Sequence, residues 1–172
     1  MSASHPHDSA SSPEVPTWAP PQPFDLSLDL FLAGPGGREI EIDPIFGQTF
    51  DEIRRDYAPH TLTSGPLVDS VVASRYRFRM VETGSDSGIV LISPTGGIIG
   101  AYLGCALAIV PEHQGLGLGA ELVFEFAFAF GELPTWFLDT PAYSPAGFAA
   151  HRRAWHLGRS SEFVAAKGLE DR

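Results

Sequence analysis

The stretch from Ile98 to Glu121 places the tightest limit on how this chain folds. An almost unbroken apolar run, Ile98 to Val110, has the composition of a single long strand covered on both faces. A short polar linker follows, Pro111 to Gln114, and then three glycines at alternate positions, Gly115, Gly117 and Gly119. From Glu121 a run of helical length begins. Strand, glycine-rich turn and helix in that order build a generic anion cradle. The first N–H groups of a helix lack intrahelical acceptors, the helix dipole favours negative charge there, and glycine lets a ligand approach the backbone. The chain is therefore expected to be an α/β protein with a ligand-binding turn between strand and helix.

The rest of the chain supplies the frame. Its 172 residues suit one domain with a substantial core. Residues 1–23, with Pro6, Pro13, Pro16, Pro20, Pro21 and Pro23 among Ser, Ala and His, read as a disordered tail, which leaves 24–172 as the folded domain. His5 and His7 fall in that tail, and no metal site is expected. Asp25–Ala33 and Arg38–Ile45 read as short strands around Gly34-Pro35-Gly36-Gly37. Thr49–Tyr57 reads as a helix, with Thr49 and Glu52 at capping-box spacing and Phe50, Ile53 and Tyr57 on one face. Val71–Val81 alternates as a strand that turns Arg75, Arg77 and Arg79 to a solvated face beside acidic partners. Gly88–Ser93 and Trp136–Thr140 are further strands. Ser144 and Pro145 open a helix that runs to about Leu157, stopped by Gly158.

Gly117–Glu132 is ambiguous, because Phe124, Phe126, Phe128 and Phe130 alternate like a strand. Helical spacing explains more: Leu118, Leu122, Phe126 and Phe130 form one row, and Glu121, Glu125 and Glu132 gather elsewhere. Phe124 and Phe128 then fall beside the glutamate stripe. That predicts a cover over them, from the N-terminal tail or from a second subunit in a homodimer.

Charge and cysteine use narrow the partners. A formal net charge of −10 speaks against nucleic acid. The only net-positive segment is 141–172, with Arg152, Arg153, Arg159, Arg172 and Lys167, the sole lysine. The longest apolar run falls short of the ~20 residues of a membrane span, so no membrane partner is expected. One cysteine, Cys105, excludes an intramolecular disulfide and fits a reducing, cytoplasmic setting; mid-run, it reads as a small buried hydrophobe.

Two pyrophosphate binders fit the glycine loop. A Walker loop does not, since no Lys-Ser/Thr pair follows. Gly115-Leu116-Gly117-Leu118-Gly119-Ala120 satisfies the Rossmann spacing G-x-G-x-x-A, with Asp139 placed as a ribose-binding acid. Against it stand the intervening linker and the short chain after Asp139. The second pattern accounts for the linker. Ala108 to Val123 closely resembles the signature of the GNAT superfamily of N-acetyltransferases, in which an apolar strand and a Pro-Glu-like linker precede Q/R-x-x-G-x-G/A, here Gln114 to Gly119.

The resemblance implies a mixed, splayed sheet flanked by helices. Ser161–Ala166 would be the one closing strand for which the chain has room, so the last strand of the fold would be lacking. It implies acetyl-CoA as cosubstrate, with Ile109 and Val110 along the pantetheine arm and Gln114, Gly115, Leu116, Gly117, Leu118, Gly119 and Ala120 around the pyrophosphate. Ser144 opens the following helix, and Arg152 and Arg153 lie on the segment that meets coenzyme A phosphates. His151 takes the place of the family's usual Tyr as proton donor to the leaving thiolate, a role open to an imidazolium near neutral pH; as a bare residue it fits a helix surface equally well. Tyr143 is the second candidate acid, Glu112 and His113 are candidate bases, and N–H groups around Val110 would polarise the thioester carbonyl. The implied reaction is direct attack by a primary amine, with a cationic amine favoured by the acidic surface. A catalytically silent module, using Phe128 and the proline-rich tail as contacts, is the alternative from another class.

Overall fold

The structure is a computed structural model that describes residues 39–45, 47–59, 63–82, 87–131, 133 and 142–169. Five strands form an antiparallel sheet in the order β2-β3-β4-β5-β6: β2 Thr63–Asp69, β3 Arg77–Glu82, β4 Ser87–Ile92, β5 Ile98–Leu103 and β6 Ala106–Ile109. A separate parallel pair joins β1 (Glu41–Ile42) to β7 (Ala142–Tyr143). The helices are α1 (Phe50–Tyr57), α2 (Leu118–Phe130), α3 (Pro145–Gly158) and α4 (Ser161–Ala166). The architecture is therefore mixed α/β. The expected single mixed sheet is instead two sheets among the described residues, and the larger is wholly antiparallel, unlike the parallel sheet of a Rossmann domain. The predicted strands Asp25–Ala33 and Trp136–Thr140, the tail 1–23, Glu132 and Asp139 lie outside the described residues.

Both faces of the sheet are covered, which accounts for the unbroken apolar run of β4. Ile89 and Leu91 face α2 with Phe78 and Tyr102, while Val90 and Ile92 face α1 with Val81, Ala101 and Leu103. Helix α1 forms as predicted. Thr49 Oγ1 accepts from Glu52 N at 3.3 Å, and Glu52 Oε2 accepts from Thr49 N at 2.7 Å. It buries Phe50 and Ile53 against the sheet.

Four expectations need correction. The run Ile98–Val110 is a hairpin, because Gly104 takes φ +52 at the first position of a two-residue turn, as a type II′ turn requires. Cys105, the second turn residue, is thereby exposed rather than buried. Residues 71–76 are not strand: β3 begins at Arg77, Arg75 has φ +75 in the preceding turn, and the partner strand is β2. Pro66, which cannot donate to a ladder, lies at the register shift of that edge strand between Ser64 and Leu67. Arg77 and Arg79 are half-buried on the α1 side, and no carboxylate pairs with them among the described residues.

The third correction concerns Ser161–Ala166, which is a helix capped by Ser160 Oγ and not a closing strand. The fourth follows from it. Helix α4 supplies the cover over Phe124: the Phe163 ring meets Phe124 edge-on at 4.9 Å, and Phe128 stacks on Phe124 at 6.1 Å. Phe128 stays half-buried, and the tail 1–23 that was expected to cover it lies outside the described residues. Glu121 and Glu125 are buried with them, so the glutamate stripe is not a solvent face. Lys167 reaches from the end of α4 to both carboxylates.

Candidate functional site

The linker Pro111–His113 forms a 3-10 turn after β6. Gln114 folds back so that its Nε2 donates to the Ile109 carbonyl at 2.7 Å. Gly115 and Gly117 then adopt φ +79 and +84, a left-handed backbone that only glycine takes without strain. With this path the N–H groups of Gly115, Leu116, Gly117, Leu118 and Gly119 have no acceptor among the described residues; Ala120 N is the first to bond back, to Gly117 O at 3.1 Å. Leu118 and Ala120 themselves are buried in the core, so only their backbone bears on a ligand. Leu116 is exposed at the tip.

Two chambers adjoin the loop. The outer one, about 440 Å³, lies between the loop, β6 and the start of α3. The inner one, about 380 Å³, shares Gln48, Leu107, Ser144 and Gly147 with it and reaches Tyr57, Cys105, Tyr143 and His151. Together they make one cleft of the size that holds an extended small molecule. Along it runs β6, the edge strand of the sheet among the described residues. Val110 N donates to Ile99 O at 2.9 Å, and Gly100 faces Ile109 in the register, so the N–H groups of Leu107 and Ile109 point away from β5.

His151 stands at the inner end, 2% exposed. Its Nδ1 lies 2.7 Å from the Gly147 carbonyl, which can only accept, so Nδ1 carries the proton. Nε2, 2.9 Å from the Tyr102 hydroxyl, is then the acceptor. Burial pushes the imidazolium down to about 4, with the Gly147 carbonyl opposing. Tyr143 is buried against it, ring centroids 4.8 Å apart. Ser144 Oγ caps α3 by accepting from Gly147 N at 3.0 Å.

The cleft thus brings together Ile109, Gln114, Gly115, Leu118, Gly119, Ser144, Tyr143 and His151, whereas Val110, Glu112, Leu116, Gly117, Ala120 and Arg152 line neither chamber. Glu112 is exposed. Arg152 lies beside Phe148, its guanidinium 5.9 Å from that ring's centroid. Arg153, one helical turn beyond Ala150, is the cation at the loop: a Cβ on Gly117 would lie 3.8 Å from its Nη2. Val110 lends no N–H to a ligand, because that group is bonded to Ile99 O. An imidazolium at His151 near neutral pH is likewise corrected, burial having removed it. His113 lines the outer chamber, but its Nδ1 is 2.8 Å from the Tyr76 hydroxyl.

The sequence reading missed Gln48, Leu107 and Tyr102 as site residues, and used Tyr57 only as a helix-face residue. They come from α1 and the loop before it, β5 and β6, with no shared spacing. The one available signal was Gly104, which breaks the long apolar run and aims Tyr57 and Cys105 at the same chamber. Comparison of the chain with models of known families, with curated proteins and with solved structures finds no match.

Proposed function

We propose that the chain is an acyltransferase of the GNAT type, which takes acetyl-CoA along the cleft and passes the acetyl group to an amine. One observation carries this reading: five successive N–H groups, Gly115 to Gly119, have no acceptor among the described residues, and Gly115, Leu118 and Gly119 of this loop line the outer of two adjoining chambers. That is the donor array a pyrophosphate needs, and Arg153 adds a positive charge beside it. The edge of β6 that faces away from β5 offers the Leu107 and Ile109 N–H groups to an amide-bearing arm, which would lead the thioester toward the inner chamber. There the acceptor nitrogen would attack the acyl carbon, and the carbon–sulfur bond would break.

Isothermal titration with acetyl-CoA tests the reading. Binding below millimolar concentration, weakened by salt and by Arg153→Ala, is expected. Folded protein that fails to bind at near-millimolar acetyl-CoA would refute it.

A non-catalytic acyl-CoA-binding module is the second reading, favoured by the engagement of both His151 nitrogens in internal hydrogen bonds. Thiol release across a panel of amines separates the two, since a silent module binds acetyl-CoA without releasing thiol.

A further inference from the structure

Resting on the acyl-transfer reading above, we infer that the inner chamber accepts an aromatic amine that arrives as the neutral free base, not an alkylammonium ion. The acidic surface favours cations at long range, but the described lining of the chamber does not continue that charge inward. Its described lining holds no Asp, Glu, Lys or Arg. Ile45, Ala106 and Leu107 provide apolar wall, and Tyr57, Tyr143 and His151 provide rings. An ammonium ion drawn into such a lining would lose its water with no carboxylate to replace it. A flat ring gains edge and face contacts with the tyrosines instead.

The proton balance agrees. An alkylammonium acceptor needs a base before it can attack, and the one imidazole in the chamber is committed: Nδ1–H donates to Gly147 O and Nε2 accepts from Tyr102. An aromatic amine is unprotonated at neutral pH and needs none. Its nitrogen forms the new bond to the acyl carbon, the carbon–sulfur bond breaks, and the proton the nitrogen gives up equals the one the thiolate takes. The products are the aryl amide and free thiol, with no oxidant or second cosubstrate.

The test compares aniline with n-hexylamine at neutral pH, on the full chain, by thiol release from acetyl-CoA and by saturation-transfer NMR of each amine without acetyl-CoA. Aniline is expected to bind and to be acetylated with kcat/KM at least about tenfold above n-hexylamine. Cys105→Trp, which projects a ring into the chamber from an exposed turn, should raise the aniline KM about fivefold or more. Preference for n-hexylamine with acetyl-CoA still bound overturns the chamber's ligand class and spares the acyl-transfer reading. Aniline binding that Cys105→Trp abolishes, on a protein that does not bind acetyl-CoA, supports the ligand class and removes the acyl-transfer reading. Binding of neither amine overturns the inference.

Discussion

The Tyr102 hydroxyl donates to His151 Nε2 across 2.9 Å in the interior, joining the middle of β5 to the second turn of α3. The Gly147 carbonyl fixes the tautomer of His151, and the bond to Tyr102 holds the ring edge-on to that tyrosine, centroids 5.6 Å apart, at the inner end of the cleft. The bond between Tyr102 and His151 therefore sets both the stability of the sheet–helix contact and the chemistry the chamber lacks.

The first prediction is thermodynamic. Tyr102→Phe keeps the ring and leaves Nε2 buried without its donor. The expected cost is about 1–3 kcal/mol in urea unfolding. Equal stability of variant and wild type would show that the bond is dispensable.

His151 also predicts a pH dependence. Its folded value, about 4, lies below the unfolded value of 6.5, so the unfolded chain binds the proton more tightly and stability falls as pH drops from 6.5 toward 4. At pH 4.5 the loss from this residue is on the order of 2 kcal/mol relative to pH 7. His151→Gln should show a correspondingly shallower slope between pH 7 and 4.5; parallel slopes would contradict the assignment.

Lys167 bridges two buried carboxylates, Glu121 and Glu125. Glu121 in turn accepts from Val71 N at 2.7 Å, from Val72 N at 3.3 Å and from the Ser70 hydroxyl, so it pins the turn that flanks Gly117. Lys167→Met should destabilise by about 3 kcal/mol at pH 7, because both acids lose their cation. Burial already raises the Glu125 carboxyl, with Lys167 drawing it down. A carboxyl raised in the folded state stabilises most when protonated, so the deficit of the variant should shrink as pH falls from 7 to 5. A deficit that is constant across this range would argue against a charge origin.

The glycine loop gives a paired prediction. Gly115→Ala and Gly117→Ala each force a side chain into left-handed backbone, at about 1–2 kcal/mol. Gly115 has open space where a Cβ would go, whereas Gly117 would meet Val72 and Arg153 at 3.7 and 3.8 Å. Those are ordinary contact distances, but the methyl would stand beside the guanidinium proposed to attract the anion, so acetyl-CoA affinity should fall further in the Gly117 variant. Titration that ranks the two variants in the opposite order would place the anion at another part of the loop.

The two neighbouring arginines separate by position. Arg153→Ala should weaken acetyl-CoA binding roughly three- to tenfold and flatten its salt dependence. Arg152→Ala, beside Phe148, should leave both unchanged. Equal effects would mean that bulk charge, not position, attracts the ligand.

What was legible in the sequence was local. The Thr49 and Ser144 caps, the positions of α1 to α3, the strand at Gly88–Ser93 and the glycine loop follow from spacings within a few residues, where backbone geometry alone decides. The errors share another cause. Glu121 and Glu125 read as a stripe apart from the core, and Phe124 as covered from elsewhere, because the helix that meets them, with Phe163 and Lys167, is distant in sequence and was itself read as a strand. Arg152 and Arg153 are adjacent in the chain, and only the rotation of α3 against the loop chose between them.

The sequence by itself determined that a glycine loop precedes a helix and leaves backbone donors open, because positive φ and missing intrahelical acceptors are properties of the segment alone. The tertiary structure alone decided that His151 is buried and neutral, that Val110 N–H is spent on Ile99, and that Tyr57, Cys105 and Tyr143 share one chamber. Burial and hydrogen-bond partnership depend on which distant elements meet, and no spacing along the chain encodes that.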